Sequence, residues 1–193
     1  MSYSFFALLG RMNCIDRWGL MRNTRTENIQ EHSHMVAVLA HALAVIGKEK
    51  FGSTVEPGEA AVAGLYHDAS EILTGDLPTP VKYDNPAIKD AYKAVERVAA
   101  QRLLSMLPAE LQEPFAPYVR EELEPGLLAI VKAADKLAAH IKCLEELRSG
   151  NNEFKLAARQ TRAALDAMEL PELDYFMKYF LPAFELTLDE LGS

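Results

Sequence analysis

Leu65-Tyr66-His67-Asp68-Ala69-Ser70-Glu71 is the stretch on which the reading of this chain turns. Ala60, Ala61, Ala63 and Gly64 precede it, so the run belongs to a helix with a small, tightly packing flank. Three ionisable side chains are expensive to bury there unless they bind something. Neutral imidazole and ionised carboxylate are both metal ligands. Helical neighbours project about 100° apart, which suits His67 and Asp68 to adjacent positions around one ion. Glu71 follows His67 by four residues and shares its face.

Two residues do not close a metal site, and two other segments offer more. His32 lies in Glu31-His32-Ser33-His34, near the start of a second apolar helix. Asp135 interrupts the largely apolar Val131-Lys132-Ala133-Ala134-Asp135-Lys136-Leu137. The set is then His, His-Asp, Asp, drawn from three helices. This pattern resembles the HD-domain metal-dependent phosphohydrolases, over most of the chain. Arg17-Trp18, Arg25-Thr26-Glu27-Asn28, Glu31-His32-Ser33, the His67–Glu71 run and Thr74-Gly75-Asp76-Leu77-Pro78-Thr79-Pro80-Val81-Lys82 narrow the resemblance to the bacterial 5'-deoxynucleotidase branch, YfbR-like. A bare His-Asp pair occurs by chance; the ordered set with the Gly-Asp-Leu-Pro-Thr-Pro loop is specific. The ligand positions show no departure from the family pattern. The resemblance implies an all-α HD-domain helical bundle, a homodimer, and hydrolysis of deoxyribonucleoside 5'-monophosphates to deoxynucleosides and phosphate by direct attack of metal-bound water.

Length and composition bound the rest. A chain of 193 residues, 49% hydrophobic, is expected to form one domain over 1–193 with a substantial core. No apolar run reaches the length of a membrane span, and the N-terminus lacks the basic region of a signal peptide. Cys14 and Cys143 form no C-x-x-C pair and suit a reducing cytoplasm. The net charge of -8 argues against a nucleic-acid polymer as partner. Residues 11–25 are the exception, with Arg11, Arg17, Arg22 and Arg25 against Asp16, a local +3. That stretch either draws in a small phosphate or is a solvated loop.

Helical periodicity dominates, without strand alternation or hairpin signals. Asn28 with Glu31 suits a capping box at the start of the His32 helix, and Gly47 suggests its end. Pro57-Gly58 precede a helix over about 59–74. Pro78 and Pro80 stiffen the loop that follows. Asn85-Pro86 read as cap and first residue of a long helix stopped near Pro108. Pro114 and Pro117 predict an irregular or short segment. A helix over 126–148 carries Asp135, Gly150 ends it, and a further helix covers 153–168. The aromatic C-terminal part breaks at Pro182.

His32, His67, Asp68 and Asp135 make a mixed N/O set. It suits one divalent ion per subunit, Co²⁺ or Mn²⁺ first and Zn²⁺ or Fe²⁺ as alternatives, better than Ca²⁺ or Mg²⁺. His34, His41 and His140 do not share the ligand faces, which argues for a single ion. Arg17 is the candidate phosphate clamp, because guanidinium matches phosphate oxygens in a fork. Glu71 is the candidate acid–base residue, or else a carboxylate orienting a ligand. The resemblance gives Trp18 to the sugar, where it excludes a 2'-hydroxyl; from the sequence alone a core anchor is preferred. Asp76 is placed to bond the 3'-hydroxyl, or is a turn carboxylate, and Leu77, Pro78 and Thr79 shape the same wall. Rival readings are a broader nucleotide phosphatase, a cyclic-nucleotide phosphodiesterase, a non-catalytic nucleotide or metal sensor, and a plain helical interaction bundle.

Overall fold

The computed structural model describes residues 2–78, 81 and 85–192, and among these it is helical, without β-strands. Its elements are α1 (Phe5–Leu9), α2 (Ile29–Ile46), α3 (Pro57–Tyr66), α4 (Glu71–Thr74), α5 (Pro86–Leu104), α6 (Ala109–Val119), α7 (Pro125–Arg148), α8 (Lys155–Asp166), α9 (Pro171–Tyr179) and α10 (Leu188–Leu191). None of the described helices is long and apolar enough to cross a membrane.

The centre is α2, buried through Val36, Leu39, Ala40, Leu43 and Ala44. It packs on α3 through Ala60 and Ala63, on α7 through Ile130, Ala134 and Leu137, and on α9 through Leu173 and Phe176. Each large aliphatic side chain buried there stabilises the fold by about 1.5–3 kcal/mol. A second apolar cluster joins Phe5, Ala69, Leu103, Leu104, Ala116 and Val119, fastening α1, α5 and α6 to the turn that carries His67 and Asp68.

Asn28 caps α2, its Oδ1 accepting from Gln30 N at 3.1 Å and Glu31 N at 3.0 Å. Glu31 does not close a box; its carboxylate takes Arg25 Nη2 at 2.9 Å instead. α2 ends at Ile46 with Gly47 as its C-cap, as expected. The chain runs on through a π-helical turn, Gly47–Phe51, and stops at Gly52, whose φ of 71° is the left-handed turn that glycine permits. Gly47 is small because a Cβ there meets Ser53 Cβ at 3.1 Å.

The helix expected over 59–74 is broken. α3 ends at Tyr66, residues 67–70 form a turn, and α4 resumes at Glu71. Bonds three residues apart tighten this turn: Ala69 N to Tyr66 O at 2.9 Å, Glu71 N to Asp68 O at 3.0 Å and Leu73 N to Ser70 O at 3.1 Å. The cause is His67. Its Nδ1 donates to Gly64 O at 2.8 Å, the carbonyl that Asp68 N–H would use in an unbroken helix.

Pro114 and Pro117 lie inside α6, an eleven-residue helix, contrary to the expected irregular segment. Both prolines are exposed, so the carbonyls they leave unbonded face water, while Ala116 and Val119 bury the opposite side. The other boundaries agree with expectation. Asn85 caps α5 by accepting from Ile88 N at 3.0 Å. Gly150, at φ 84°, ends α7, and α8 covers most of the helix expected over 153–168.

Gly64 sets the distance between α2 and α3. A Cβ there falls 2.7 Å from Ala37 Cα and 2.9 Å from Ala37 N. Alanine is the better helix former by about 1 kcal/mol. The clash is with backbone, and overpacking of this kind costs about 1–3 kcal/mol, occasionally more. Gly64→Ala is therefore expected to lower the Tm by several degrees in a thermal melt; a raised Tm contradicts the close approach.

Candidate metal centre

Three helical elements converge on one point. α2 delivers His32, fully buried; the turn after α3 delivers His67 and Asp68; α7 delivers Asp135 from near its middle. His32 Nε2 lies 3.1 Å from Asp135 Oδ1 and 3.7 Å from Asp68 Oδ2. His67 Nε2 lies 3.1 Å from Asp68 Oδ2, and the two imidazole rings are 5.3 Å apart. One donor atom from each of His32, His67 and Asp135 lies within 4.8 Å of the other two. All four expected ligands are thus brought together.

The donor atoms suit a cation. A carbonyl can only accept, so His67 Nδ1 holds a proton against Gly64 O and Nε2 carries the lone pair when the ring is neutral. Nε2 is buried and has no hydrogen-bond partner among the described residues. Burial works to neutralise both aspartates. His67, His32 and Arg17 outweigh it at Asp68, and His32, Lys136 and His67 at Asp135, so both carboxyls stay well below the ordinary range. Burial also depresses His67, but the neighbouring Asp68 outweighs this and lifts the ring to about 9. At His32 burial and Arg17 prevail, and its value is lowered. Two ionised carboxylates facing two imidazoles attract positive charge, as a proton on His67 or as a metal ion.

Arg17 approaches the same cluster. Its Nη1 donates to Asp68 Oδ2 at 3.2 Å and its Nε to Glu27 Oε2 at 3.2 Å. Trp18 is half-buried, with Phe154 at 5.2 Å between ring centroids, and its Nε1 donates to Glu27 Oε2 at 3.0 Å. Its φ of 60° is left-handed, an arrangement that costs a non-glycine residue about 1–2 kcal/mol. Asp76 follows Gly75, whose φ is 75°. Burial raises the Asp76 carboxyl, partly against Arg17. Tyr92 ties this loop to α5 by donating to Gly75 O at 3.1 Å. Leu77 and Pro78 continue from Asp76 half-buried, and Thr79 lies outside the described residues.

Glu71, 5% exposed, lines a cavity of about 770 Å³ with His67, Asp68 and Asp135. Lys93, Arg97, Lys132 and Lys136 line it further out, while Arg17, Trp18 and Asp76 do not. The other histidines stand apart. His34 and His41 are exposed, and the buried His140 pairs through Nδ1 with Thr161 Oγ1 at 2.9 Å.

Comparison with known proteins gives the family and the fold. The model of the 5'-deoxynucleotidase YfbR-like family matches residues 4–184. The 5'-deoxynucleotidase YfbR of Escherichia coli O1:K1 is 54% identical over 190 residues, covering 98% of this chain and 96% of its own. An HD-domain phosphohydrolase from Listeria innocua superposes with a TM-score of 0.82 at 23% identity, covering 94% of this chain and 88% of its own. The cyanophage S-2L HD phosphohydrolase, solved with dA and one catalytic Zn²⁺ ion, gives 0.65 at 22% identity, covering 97% of this chain and all of its own. At such identities these two structures establish the fold.

Sequence reading passed over the residues that hold this arrangement. Glu27 joins Arg17 to Trp18, as above. Glu146, 1% exposed, accepts from Thr24 N at 2.9 Å, Thr24 Oγ1 at 2.8 Å and Asn151 Nδ2 at 2.8 Å, and pairs with Lys142. Lys142 also donates to Arg25 O at 2.6 Å, so the 17–27 loop is fastened to α7. The signal was present: Lys142 and Glu146 are charges four residues apart on the buried face of a helix. Burial pushes the Glu146 carboxyl up, but the bonds from Lys142, Asn151 and Thr24 outweigh it and hold the carboxyl at about 2, below its ordinary 4.5. A depressed carboxyl stabilises the fold above its ordinary value, and that stability is lost as pH falls toward the folded one. Between pH 4.5 and 2 the network is expected to lose about 2–3 kcal/mol, read from urea unfolding. Glu146→Gln should flatten this segment of the pH profile; an unchanged profile contradicts the assignment.

Proposed function

Since the chain belongs to the 5'-deoxynucleotidase YfbR-like family and has the HD-domain helical fold, we propose that it hydrolyses deoxyribonucleoside 5'-monophosphates to deoxynucleosides and phosphate. The observation that carries this reading is the convergence of His32, His67, Asp68 and Asp135 beside Arg17, two imidazoles and two ionised carboxylates within reach of one cation and one phosphate. Those four residues would hold one divalent ion per subunit. The mixed N/O set favours Co²⁺ or Mn²⁺, with Zn²⁺ or Fe²⁺ as alternatives. When bound, such an ion lowers the pKa of water and polarises a phosphoryl oxygen.

The protein's own groups do the rest. Arg17 spends Nε on Glu27 and Nη1 on Asp68, and Nη2 has no hydrogen bond among the described residues. That nitrogen is available to a phosphate oxygen at the site's edge. Glu71 borders the same cavity as Asp68 and Asp135 and is positioned to manage the proton that the leaving 5'-oxygen requires. Trp18 and Asp76 bracket the sugar, Trp18 against a 2'-hydroxyl and Asp76 toward the 3'-hydroxyl, with Leu77 and Pro78 as wall. A bond to the 3'-hydroxyl discriminates more strongly than exclusion by packing. The same reading takes residues 1–193 as one domain, acting as a homodimer in the cytoplasm.

Phosphate release from 5'-dAMP by metal-stripped protein, before and after adding Co²⁺ or Mn²⁺, tests this. Release is expected only with metal and is expected to be lost in Asp68→Ala. Glu71→Gln should lower kcat by about 10²–10⁴ while Co²⁺ affinity is retained. Metal-independent release, or full turnover by Glu71→Gln, contradicts the respective assignment.

A further inference from the structure

We propose that Glu27 is a positioning residue that sets the sugar selectivity of the site, by holding the Trp18 indole and the Arg17 guanidinium on one carboxylate oxygen. The proposal rests on the deoxynucleotide reading above. Within Arg25-Thr26-Glu27-Asn28, Glu27 is neither a ligand candidate nor a helix cap, yet its side chain is only 15% exposed. Trp18 Nε1–H donates to Oε2 at 3.0 Å, and Arg17 Nε–H donates to the same oxygen at 3.2 Å.

Adjacent side chains on an extended chain point to opposite sides, so two neighbours reach one oxygen only if the backbone turns between them. Trp18 supplies that turn with its φ of 60°, which a bulky side chain adopts only where its surroundings enforce it. Glu27 enforces it from the Nε1 edge of the indole, and the Phe154 ring packs beside it at 5.2 Å, tilted by 56°. The carboxylate is itself fixed. Glu27 O accepts Arg17 N–H at 2.8 Å, and the next residue, Asn28, caps the helix that carries His32. Glu27 is thus held rigidly relative to His32, and through Arg17 it is linked to Asp68 at 3.2 Å. A wall that rejects a 2'-hydroxyl by packing works only if the indole cannot swing aside, so the anchor governs selectivity although it touches no substrate.

Trp18 is the sole tryptophan, so the protein's indole emission reports this position alone. Glu27→Ala and Glu27→Gln are compared with the native protein by acrylamide quenching without ligand, and by kcat/KM on 5'-dAMP and 5'-AMP with Co²⁺. Quenching is expected to rise in Glu27→Ala. The deoxy-to-ribo ratio should fall about tenfold, the scale of one buried hydrogen bond to a charged group. Loss of the Arg17 contact slows both substrates alike, and loss of the indole wall then spares 5'-AMP, so the ratio falls; a merely structural defect slows both substrates together and leaves the ratio unchanged. Glu27→Gln keeps one acceptor oxygen and should be intermediate, and it carries the test alone if the alanine variant does not fold. Unchanged quenching overturns the anchor, and raised quenching with an unchanged ratio overturns its role in selectivity. If the native protein releases no phosphate from either nucleotide, the hydrolase reading fails by itself. The ratio of the two dissociation constants, read from the same emission, then decides on Glu27 by the same criteria.

Discussion

The absence of a side chain at Gly64 is the constraint on which the rest of the site depends. With 2.7 Å between a Cβ placed there and Ala37 Cα, α2 and α3 meet backbone to backbone. His32 lies five residues before that contact and His67 three after it, so the closeness of the helices becomes the 5.3 Å separation of the two rings. The Gly64 carbonyl adds a second constraint. By accepting a hydrogen bond from His67 Nδ1–H it orients the ring, and it coincides with the break that turns Asp68 toward His32. α7 closes the third side, because Ala133, Ala134 and Ala138 let it approach closely enough to bring Asp135 to His32. Close packing of small residues thus fixes the donor positions.

The electrostatics follow from the packing. Buried carboxylates neutralise themselves by taking protons unless positive charge is at hand. At Asp68 it comes from His67 and Arg17, and at Asp135 from Lys136 and His67 with a hydrogen bond to His32, and the carboxylates stay ionised. The same logic is repeated one layer out, where Glu146 collects Thr24, Asn151 and Lys142 and secures the loop that brings Arg17 and Trp18 in. The strain at Trp18 is sustained because this loop is held on both sides, by α7 and by the start of α2.

The fold class and the four metal-ligand candidates were legible because each rests on residue type and order. His32, His67, Asp68 and Asp135 needed only three helices to converge. Local punctuation was less legible. Pro114 and Pro117 read as helix breakers, yet both face water in α6, where a lost backbone bond costs little. Gly47 does cap α2, but the π-helical turn that follows it left no mark in the sequence. The break at His67 was invisible because its cause is a side chain competing for a backbone carbonyl. Glu27 and Glu146 were missed because their partners lie across loops, at separations of 9 and 122 residues for Trp18 and Thr24. A charge on the buried face of a helix was the one available signal.

The central claim is that packing of α2, α3 and α7 creates one cation site with two imidazole donors. Titration of the metal-stripped protein with Co²⁺, followed by visible absorption alongside metal analysis, tests it most directly. One Co²⁺ per chain is expected, with ligand-field bands that are lost in His32→Ala and in His67→Ala. Two ions per chain, or bands that survive both substitutions, would contradict the account.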